Sequence, residues 1–229
     1  KDFLSLSAVA GVSTLVGSSA LMTSCGEKAP EYTPLKQLEG AYIPVLNDKA
    51  DDGKELKVGV IGCGGRGSGA IYNLLAAANG IKVTALGDTF ADRLNGLKDS
   101  LAKNGQVVAD DKCFVGFDAY KKVIDAGVDM VIIATPPAFR PIHFQYATEK
   151  GVHSFLEKPI AVDAKGYRTI MATAKQATAK GLSVVCGTQR HHQRPYVEAF
   201  QKIQEGMIGE ITGGNVYWNQ SMLWYRNRE

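Results

Sequence analysis

The sequence has few cysteines and little net charge, and both features exclude classes of protein. Its 229 residues include four cysteines, and Cys25, Cys63, Cys113 and Cys186 show neither metal-ligand spacing nor a disulfide framework. The net charge is only +3, and no basic run is interleaved with aromatic residues, so nothing indicates a nucleic-acid partner. We predict no metal site, and we interpret all of these cysteines except Cys25 as small buried hydrophobic residues.

Charged side chains are absent from Leu4 to Met22. A stretch of this length could span a bilayer. Its glycine and serine content instead indicates the apolar part of an export signal, which would comprise residues 1–25. Small residues before Cys25 resemble a lipobox, although Met22 stands where leucine is usual, so Cys25 is the candidate for lipid attachment. The chain begins at Lys1 without methionine, and Lys1–Leu4 resembles the tail of a twin-arginine signal. The expected location is the periplasm, or the membrane through a lipid anchor.

Regular periodicity is also absent from residues 26–54. This segment contains Pro30, Pro34 and Pro44 and most of a charged run over residues 48–55. Such composition predicts a tether that holds the following domain clear of a membrane.

The most informative stretch is the glycine-rich turn that follows the apolar strand Lys57–Ile61. Three of its glycines have G-x-G-x-x-G spacing, which suits a tight turn, a close approach of backbone to phosphate and close packing of a helix on a strand. The helix that follows would direct its N-terminal amides at a pyrophosphate. The turn therefore predicts dinucleotide binding, and its candidate cofactor-binding residues are Gly62, Gly64, Gly65, Arg66 and Gly67.

An acidic residue follows the second predicted strand. Asp88 lies 21 residues after Gly67, the separation at which a carboxylate reaches the adenosine ribose. Such a carboxylate would repel a 2′-phosphate, so NAD is favoured over NADP, while Arg93 keeps NADP as an alternative. Asp88 could instead cap the next helix.

Strands and helices alternate along the body of the chain. This alternation predicts an α/β fold, a doubly wound parallel Rossmann sheet over residues 55–187, with its ligand at the carboxyl ends of the strands. Polar residues follow these ends, among them Thr135 and Lys158. The predicted strands are Lys57–Ile61, Ile81–Leu86, Cys113–Val115, Val128–Thr135, Val152–Leu156 and Leu182–Cys186.

Several motifs resemble one known family over residues 57–218. With the glycine turn, they are Ala134-Thr135-Pro136-Pro137, Gly151-Val152-His153 before Glu157-Lys158-Pro159, and Gly206-Met207-Ile208-Gly209-Glu210. In this combination the sequence resembles the Gfo/Idh/MocA oxidoreductases. One departure is that Ala138 and Arg140 stand where many members have histidines, which suggests a subfamily with a different substrate or cofactor contact.

The resemblance implies roles for individual residues. Lys158 would contact the reacting hydroxyl and the nicotinamide ribose as the catalytic residue, and Thr135, Pro136 and Glu157 would join the cofactor site. The family also has a C-terminal α/β domain that forms the substrate pocket and often an oligomer interface. Residues 188–229 would be its incomplete beginning, with a first strand at Ile211–Gln220, and the whole protein is expected to be a homo-oligomer.

These features predict an exported NAD-dependent oxidoreductase that acts on a hydroxyl of a sugar or glycoside. Two alternatives stay open: an NAD-dependent glycosidase that oxidises its sugar transiently, and a non-catalytic sugar-binding lipoprotein. Lys158 could also be a solvated lysine before a helix. Arg190, His191 and His192 follow the sixth strand and are candidate substrate contacts, although a polar loop would have the same composition.

Overall fold

The computed structural model describes residues 54–221. This part of the chain belongs to two units, with residues 54–197 in the first and residues 198–221 in the second. The predicted export signal with Cys25, the predicted tether up to residue 53, and residues 222–229 lie outside the described residues.

The first unit is built on a parallel sheet of six strands. The strand order is β3-β2-β1-β4-β5-β6, and every neighbouring pair is parallel. This is the order of a doubly wound Rossmann sheet, in which the chain reverses direction between β1 and β4. The predicted fold class is therefore confirmed. The strands are β1 (Leu56–Ile61), β2 (Ile81–Asp88), β3 (Cys113–Val115), β4 (Met130–Ile133), β5 (His153–Leu156) and β6 (Val184–Cys186).

Helices cover both faces of this sheet. On one face α1 packs against β1 and β4, and α2 packs against β2 and β3. On the other face α3 crosses the first three strands, α4 lies on β4 and β5, and α5 packs on α4. The helices are α1 (Gly65–Ala77), α2 (Ala91–Lys103), α3 (Ala119–Asp125), α4 (Arg140–Glu149), α5 (Ala164–Ala179) and α6 (Arg194–Gln204).

The central strands are apolar throughout because both of their faces are buried. In β1, Val58 and Val60 pack on the side of α1 and α2, whereas Ile61 faces the cluster that includes Val123 of α3. All four side chains are at most 2% exposed. Burial on two faces explains why these strands lack the alternation of a half-exposed sheet.

The structure shortens one predicted strand. The strand predicted over Val128–Thr135 spans Met130–Ile133. On α5, Tyr167 and Met171 are exposed, and the buried residues are Ile170, Thr173 and Ala177.

One further prediction fails because hydrogen bonds to a neighbouring strand are missing. Residues 211–220, predicted as a strand, have no regular secondary structure. A strand requires a ladder of bonds to a neighbour, and no described residue supplies one to this segment.

The second unit contributes residues 198–221 to the described part of the chain. They comprise the end of α6, which closes at Gln204, and a segment without regular structure. Several large apolar side chains in this segment are exposed, including Val216, Tyr217 and Trp218. Within residues 54–221, no helix combines the length and hydropathy needed to cross a bilayer.

Candidate functional site

The glycine turn after β1 is shaped by contacts that exclude side chains. Gly62 has a φ of +94°, and a Cβ there would lie 2.9 Å from the carbonyl carbon of Ala134 and the nitrogen of Thr135. A Cβ on Gly67 would lie 1.8 Å from the carbonyl oxygen of Gly62. Only glycine fits at either position. The turn thus seats the start of α1 on the ends of β1 and β4.

The middle of the same turn is open. A Cβ on Gly64 would meet nothing closer than Arg93 Cδ at 3.8 Å, and a Cβ on Gly65 would meet nothing within 4 Å. Gly64 is also the cap residue of α1, and it has no side chain to accept from the helix amides. The N-terminus of α1 is therefore accessible to an anionic group, as a pyrophosphate would require.

Asp88 closes one side of the turn. Its carboxylate is 8% exposed, and it accepts hydrogen bonds from the amides of Cys63 at 2.6 Å and Phe90 at 2.9 Å. The cap residue of α2 is Phe90, so Asp88 is not the helix cap. Each carboxylate oxygen can accept a second bond. Asp88 thus holds the turn in place and retains acceptor capacity for a ribose.

The thiol of Cys63 lies inside this turn and is unreactive. It is 2% exposed and donates to the carbonyl of Gly87 at 3.5 Å. Burial, followed by the charge of Asp88, raises its pKa to about 12. A thiol that stays protonated is neither a nucleophile nor a metal ligand, which agrees with its interpretation as a small buried residue.

An ion pair between a half-exposed arginine and a buried glutamate joins the glycine turn to the turn after β5. Arg66 Nε donates to Glu157 Oε1 at 2.7 Å, and Arg66 Nη2 contacts the same oxygen. The Glu157 side chain is 2% exposed and that of Arg66 is 51% exposed. A Cβ on Gly187 would lie 2.7 Å from the same Glu157 oxygen, so the chain after β6 closes over the carboxylate. The pair brings together motifs 91 residues apart in sequence.

Arg140 lies beneath the Glu157-Lys158-Pro159 turn. Its guanidinium is 5% exposed, and Nη1 donates to the carbonyl of Glu157 at 2.7 Å and also to the carbonyl of Pro159. Burial lowers the pKa of Arg140, and the Glu157 carboxylate opposes that shift. Lys158 is exposed, and its amide donates to Glu157 Oε2 at 3.2 Å. The exposed Lys158 therefore lies on a turn whose backbone carbonyls are hydrogen-bonded to the buried Arg140.

Thr135 contacts the buried His143, which stacks on aromatic neighbours. Its hydroxyl lies 3.2 Å from His143 Nδ1, and the imidazole stacks on Tyr120 with ring centres 4.2 Å apart. The His143 side chain is 7% exposed, and desolvation lowers its pKa to about 4. The imidazole is therefore neutral at physiological pH, and its hydrogen bond with the Thr135 hydroxyl joins two uncharged groups. Pro136, the next residue, is exposed at the end of β4.

The three candidate substrate residues after β6 have different surroundings. Arg190 Nε donates to the hydroxyl of Tyr196 at 3.1 Å, and its guanidinium stacks over the same ring at 5.6 Å. His191 is exposed. His192 lines a cavity of about 540 Å³ together with Arg66 and Gly187. His192 therefore shares a cavity with the Arg66 end of the glycine turn, and Arg190 faces Tyr196.

The geometry fits a dinucleotide. The strand ends of β1 and β4 flank the point where the chain reverses, and ligands of open α/β sheets bind in that crevice. Glycines that leave no space for a Cβ, an open helix N-terminus and a carboxylate at the end of β2 all lie at this edge. Fold and site together define a dinucleotide-binding Rossmann domain.

The chain belongs to the Gfo/Idh/MocA oxidoreductase family. Residues 56–187, more than half of the chain, match the family model described as the oxidoreductase family, NAD-binding Rossmann fold. The resemblance inferred from the motifs is thereby confirmed.

Two of its curated relatives differ in name. Glycosyl hydrolase family 109 protein 2 of Shewanella sp. (strain ANA-3) is 25% identical over 98% of this chain and 46% of its own length. The inositol 2-dehydrogenase/D-chiro-inositol 3-dehydrogenase of Shouchella clausii is 30% identical over 68% of this chain and 42% of its own length. The chain thus spans less than half the length of these relatives.

A solved structure has the same fold. Scyllo-inositol dehydrogenase from Lactobacillus casei, determined with bound NAD(H) and scyllo-inositol, is 26% identical with a TM-score of 0.58. The match covers 69% of this chain and 44% of that one.

Sequence reasoning missed three features of the site. It had no signal for the Arg66–Glu157 pair, because neither spacing nor periodicity links residues so far apart. It noted Arg140 only as a departure from the family pattern. The sequence also assigned His143 no definite role, because its contact with Thr135 depends on how α4 packs against β4.

Proposed function

We propose that this protein is an NAD-dependent oxidoreductase that acts on a secondary hydroxyl of a sugar, cyclic polyol or glycoside. The observation that carries the proposal is the Arg66–Glu157 pair. It couples the turn expected to hold the pyrophosphate to the turn that presents Lys158. The names of the inositol dehydrogenase relatives support this substrate class.

The bound cofactor supplies hydride transfer. The glycine turn and the N-terminus of α1 would bind the phosphates, Asp88 would accept from the ribose hydroxyls, and Thr135 and Pro136 would contact the nicotinamide half. Lys158 would hydrogen-bond to the reacting oxygen and orient the carbinol. Its side-chain amine would accept the hydroxyl proton as the hydride leaves for the cofactor, and it would return that proton in the reverse direction. Arg190, His191 and His192 are proposed to contact substrate.

The test is Lys158→Ala in the native protein, with Lys165→Ala as the matched control because Lys165 is an exposed lysine at the start of α5. Turnover with a panel of inositols and hexoses should fall at least about a hundredfold in Lys158→Ala. The affinity for NADH, measured by calorimetry, should change little. Near-normal turnover in Lys158→Ala would refute the assigned role and return Lys158 to a solvated surface residue.

A redox-neutral glycosidase is the second candidate. The observation in its favour is the family 109 glycosyl hydrolase relative, which is aligned over 98% of this chain. The two functions use the same described residues but differ in net chemistry. A dehydrogenase accumulates NADH in proportion to oxidised substrate, whereas a glycosidase releases its aglycone without net NADH. Measuring both products from one aryl glycoside separates them.

NAD is proposed over NADP because the Asp88 carboxylate would face a 2′-phosphate. Arg93, the residue that supports the alternative, stacks on Phe90 with its guanidinium 4.9 Å from the ring centre. Calorimetric titration of both cofactors tests this preference. Tighter binding of NADP would reverse the assignment.

Export and assembly are proposals that rest on sequence alone. We propose export to the periplasm, a lipid on Cys25 and a homo-oligomeric native protein. Metabolic labelling with a fatty acid should mark the wild type but not Cys25→Ala, and light scattering should give a mass above that of one chain. Unlabelled wild-type protein would refute the anchor.

A further inference from the structure

We propose that Arg140 is a positioning residue that sets the place of Lys158, an inference that rests on the proposed function of Lys158. The guanidinium is buried under the Glu157-Lys158-Pro159 turn. Its Nη1 donates to the carbonyls of Glu157 and Pro159, the two residues that flank Lys158. The backbone is therefore held on both sides of Lys158, which is itself exposed.

The chemistry of the contact suits this task. Hydrogen bonds from a charged donor are about twice as strong as neutral ones, and here a single nitrogen holds both carbonyls. Arg140 is 5% exposed, so water cannot readily replace it. Its Nε has no hydrogen-bond partner among residues 54–221. The bonds that the guanidinium does make are thus concentrated on the turn.

A second contact holds the turn from the opposite side. The Glu157 carboxylate is tied to Arg66 of the glycine turn, and the amide of Lys158 donates to the same carboxylate. Arg140 fixes the main chain and Arg66 fixes the side chain of Glu157. Lys158 is thereby placed relative to the cofactor crevice by one arginine from α4 and one from α1.

A histidine at position 140 could not make the same pair of contacts. A histidine carries at most two ring donors in fixed directions and is shorter than arginine. Arg140 instead reaches from the first turn of α4 to the carbonyls of Glu157 and Pro159.

The experiment measures the reactivity of Lys158 in Arg140→Met and Arg140→Lys, with the exposed Arg168→Met on α5 as the control. Sulfo-NHS-acetate acetylates each protein with and without NADH at about 100 times its Kd, where nearly every site is filled. Peptide mass spectrometry gives the rate at Lys158, with Lys165 as internal reference. NADH should slow acetylation of Lys158 at least about tenfold in the wild type and in Arg168→Met.

In Arg140→Met this protection should fall below about twofold, although NADH affinity changes less than about threefold because the adenosine half still binds. Arg140→Lys keeps the charge but loses the planar fork, so its protection should lie between the two. If Arg140→Met does not fold, Arg140→Lys decides the outcome. Wild-type protection in a folded Arg140 variant that binds NADH would overturn the proposal.

A separate readout distinguishes this proposal from the function on which it rests. Hydrogen exchange in the peptide that spans residues 157–160, measured without NADH, should be at least about tenfold faster in Arg140→Met or Arg140→Lys than in Arg168→Met. Absence of NADH protection in the wild type would refute the role of Lys158. Unchanged exchange in the Arg140 variants would refute the positioning role of Arg140.

Discussion

The buried imidazole of His143 makes a specific prediction about stability and pH. In the folded protein its pKa is about 4, because burial disfavours the charged ring, whereas in the unfolded chain it has the ordinary value near 6.5. As the pH falls through this window, the unfolded state takes up a proton that the folded state does not. The free energy of unfolding therefore falls as the pH decreases from about 6.5 towards about 4.

The magnitude follows from the two pKa values. Their separation of about 2.5 units corresponds to about 3 kcal/mol in total, at 1.36 kcal/mol per unit. Between pH 7.5 and pH 5, most of the window has been crossed, and the loss is about 2 kcal/mol. The desolvated ring contacts Thr135, Tyr120 and Phe139, none of which carries a charge at these pH values that would compensate.

Urea unfolding at pH 7.5 and pH 5 measures this loss in the wild type and in His143→Gln, whose side chain keeps an acceptor for Thr135. The pH-dependent loss should be smaller by about 2 kcal/mol in the variant, because its side chain does not titrate. His191→Gln, at an exposed position, is the control and should keep the wild-type loss. An NMR titration should assign a pKa of about 4 to His143. A difference between wild type and His143→Gln below about 0.5 kcal/mol would refute the reasoning.

Three further predictions concern the glycine turn. Asp88→Asn should weaken NAD binding at least about tenfold, because hydrogen bonds to a charged acceptor contribute roughly 1.5–3 kcal/mol each. Calorimetry measures the affinity, with Asp92→Asn at an exposed position as the control. An unchanged affinity in Asp88→Asn would contradict the prediction. Gly67→Ala should destabilise the fold by more than about 1 kcal/mol, since its Cβ would overlap the oxygen of Gly62; a wild-type denaturant midpoint would count against this geometry. Cys63 should resist alkylation by iodoacetamide at pH 8 in the folded protein, because its pKa is about 12. Mass spectrometry measures the labelling, and rapid labelling of Cys63 would show that the thiol is accessible.

Local signals determined much of this protein at the level of sequence. Continuous apolar strands separated by amphipathic helices identified the doubly wound sheet, because parallel strands buried on both faces need no polar side. The glycine turn could be recognised from the spacing of its glycines alone, although the backbone that excludes a side chain at Gly62 belongs to Ala134 and Thr135, just after β4. Asp88 and Lys158 could be placed at the same edge because each follows a parallel strand, and all such strands end on one side of the sheet.

The contacts between these motifs were decided only by tertiary structure. Arg66 meets Glu157, and Arg140 meets the carbonyls around Lys158, because the strand order puts β1, β4 and β5 side by side. The lowered pKa of His143 depends on how deeply α4 packs, which helical periodicity does not report. Periodicity records which residues one element buries, but a hydrogen bond between elements depends on angstrom-scale placement that only the packed chain defines.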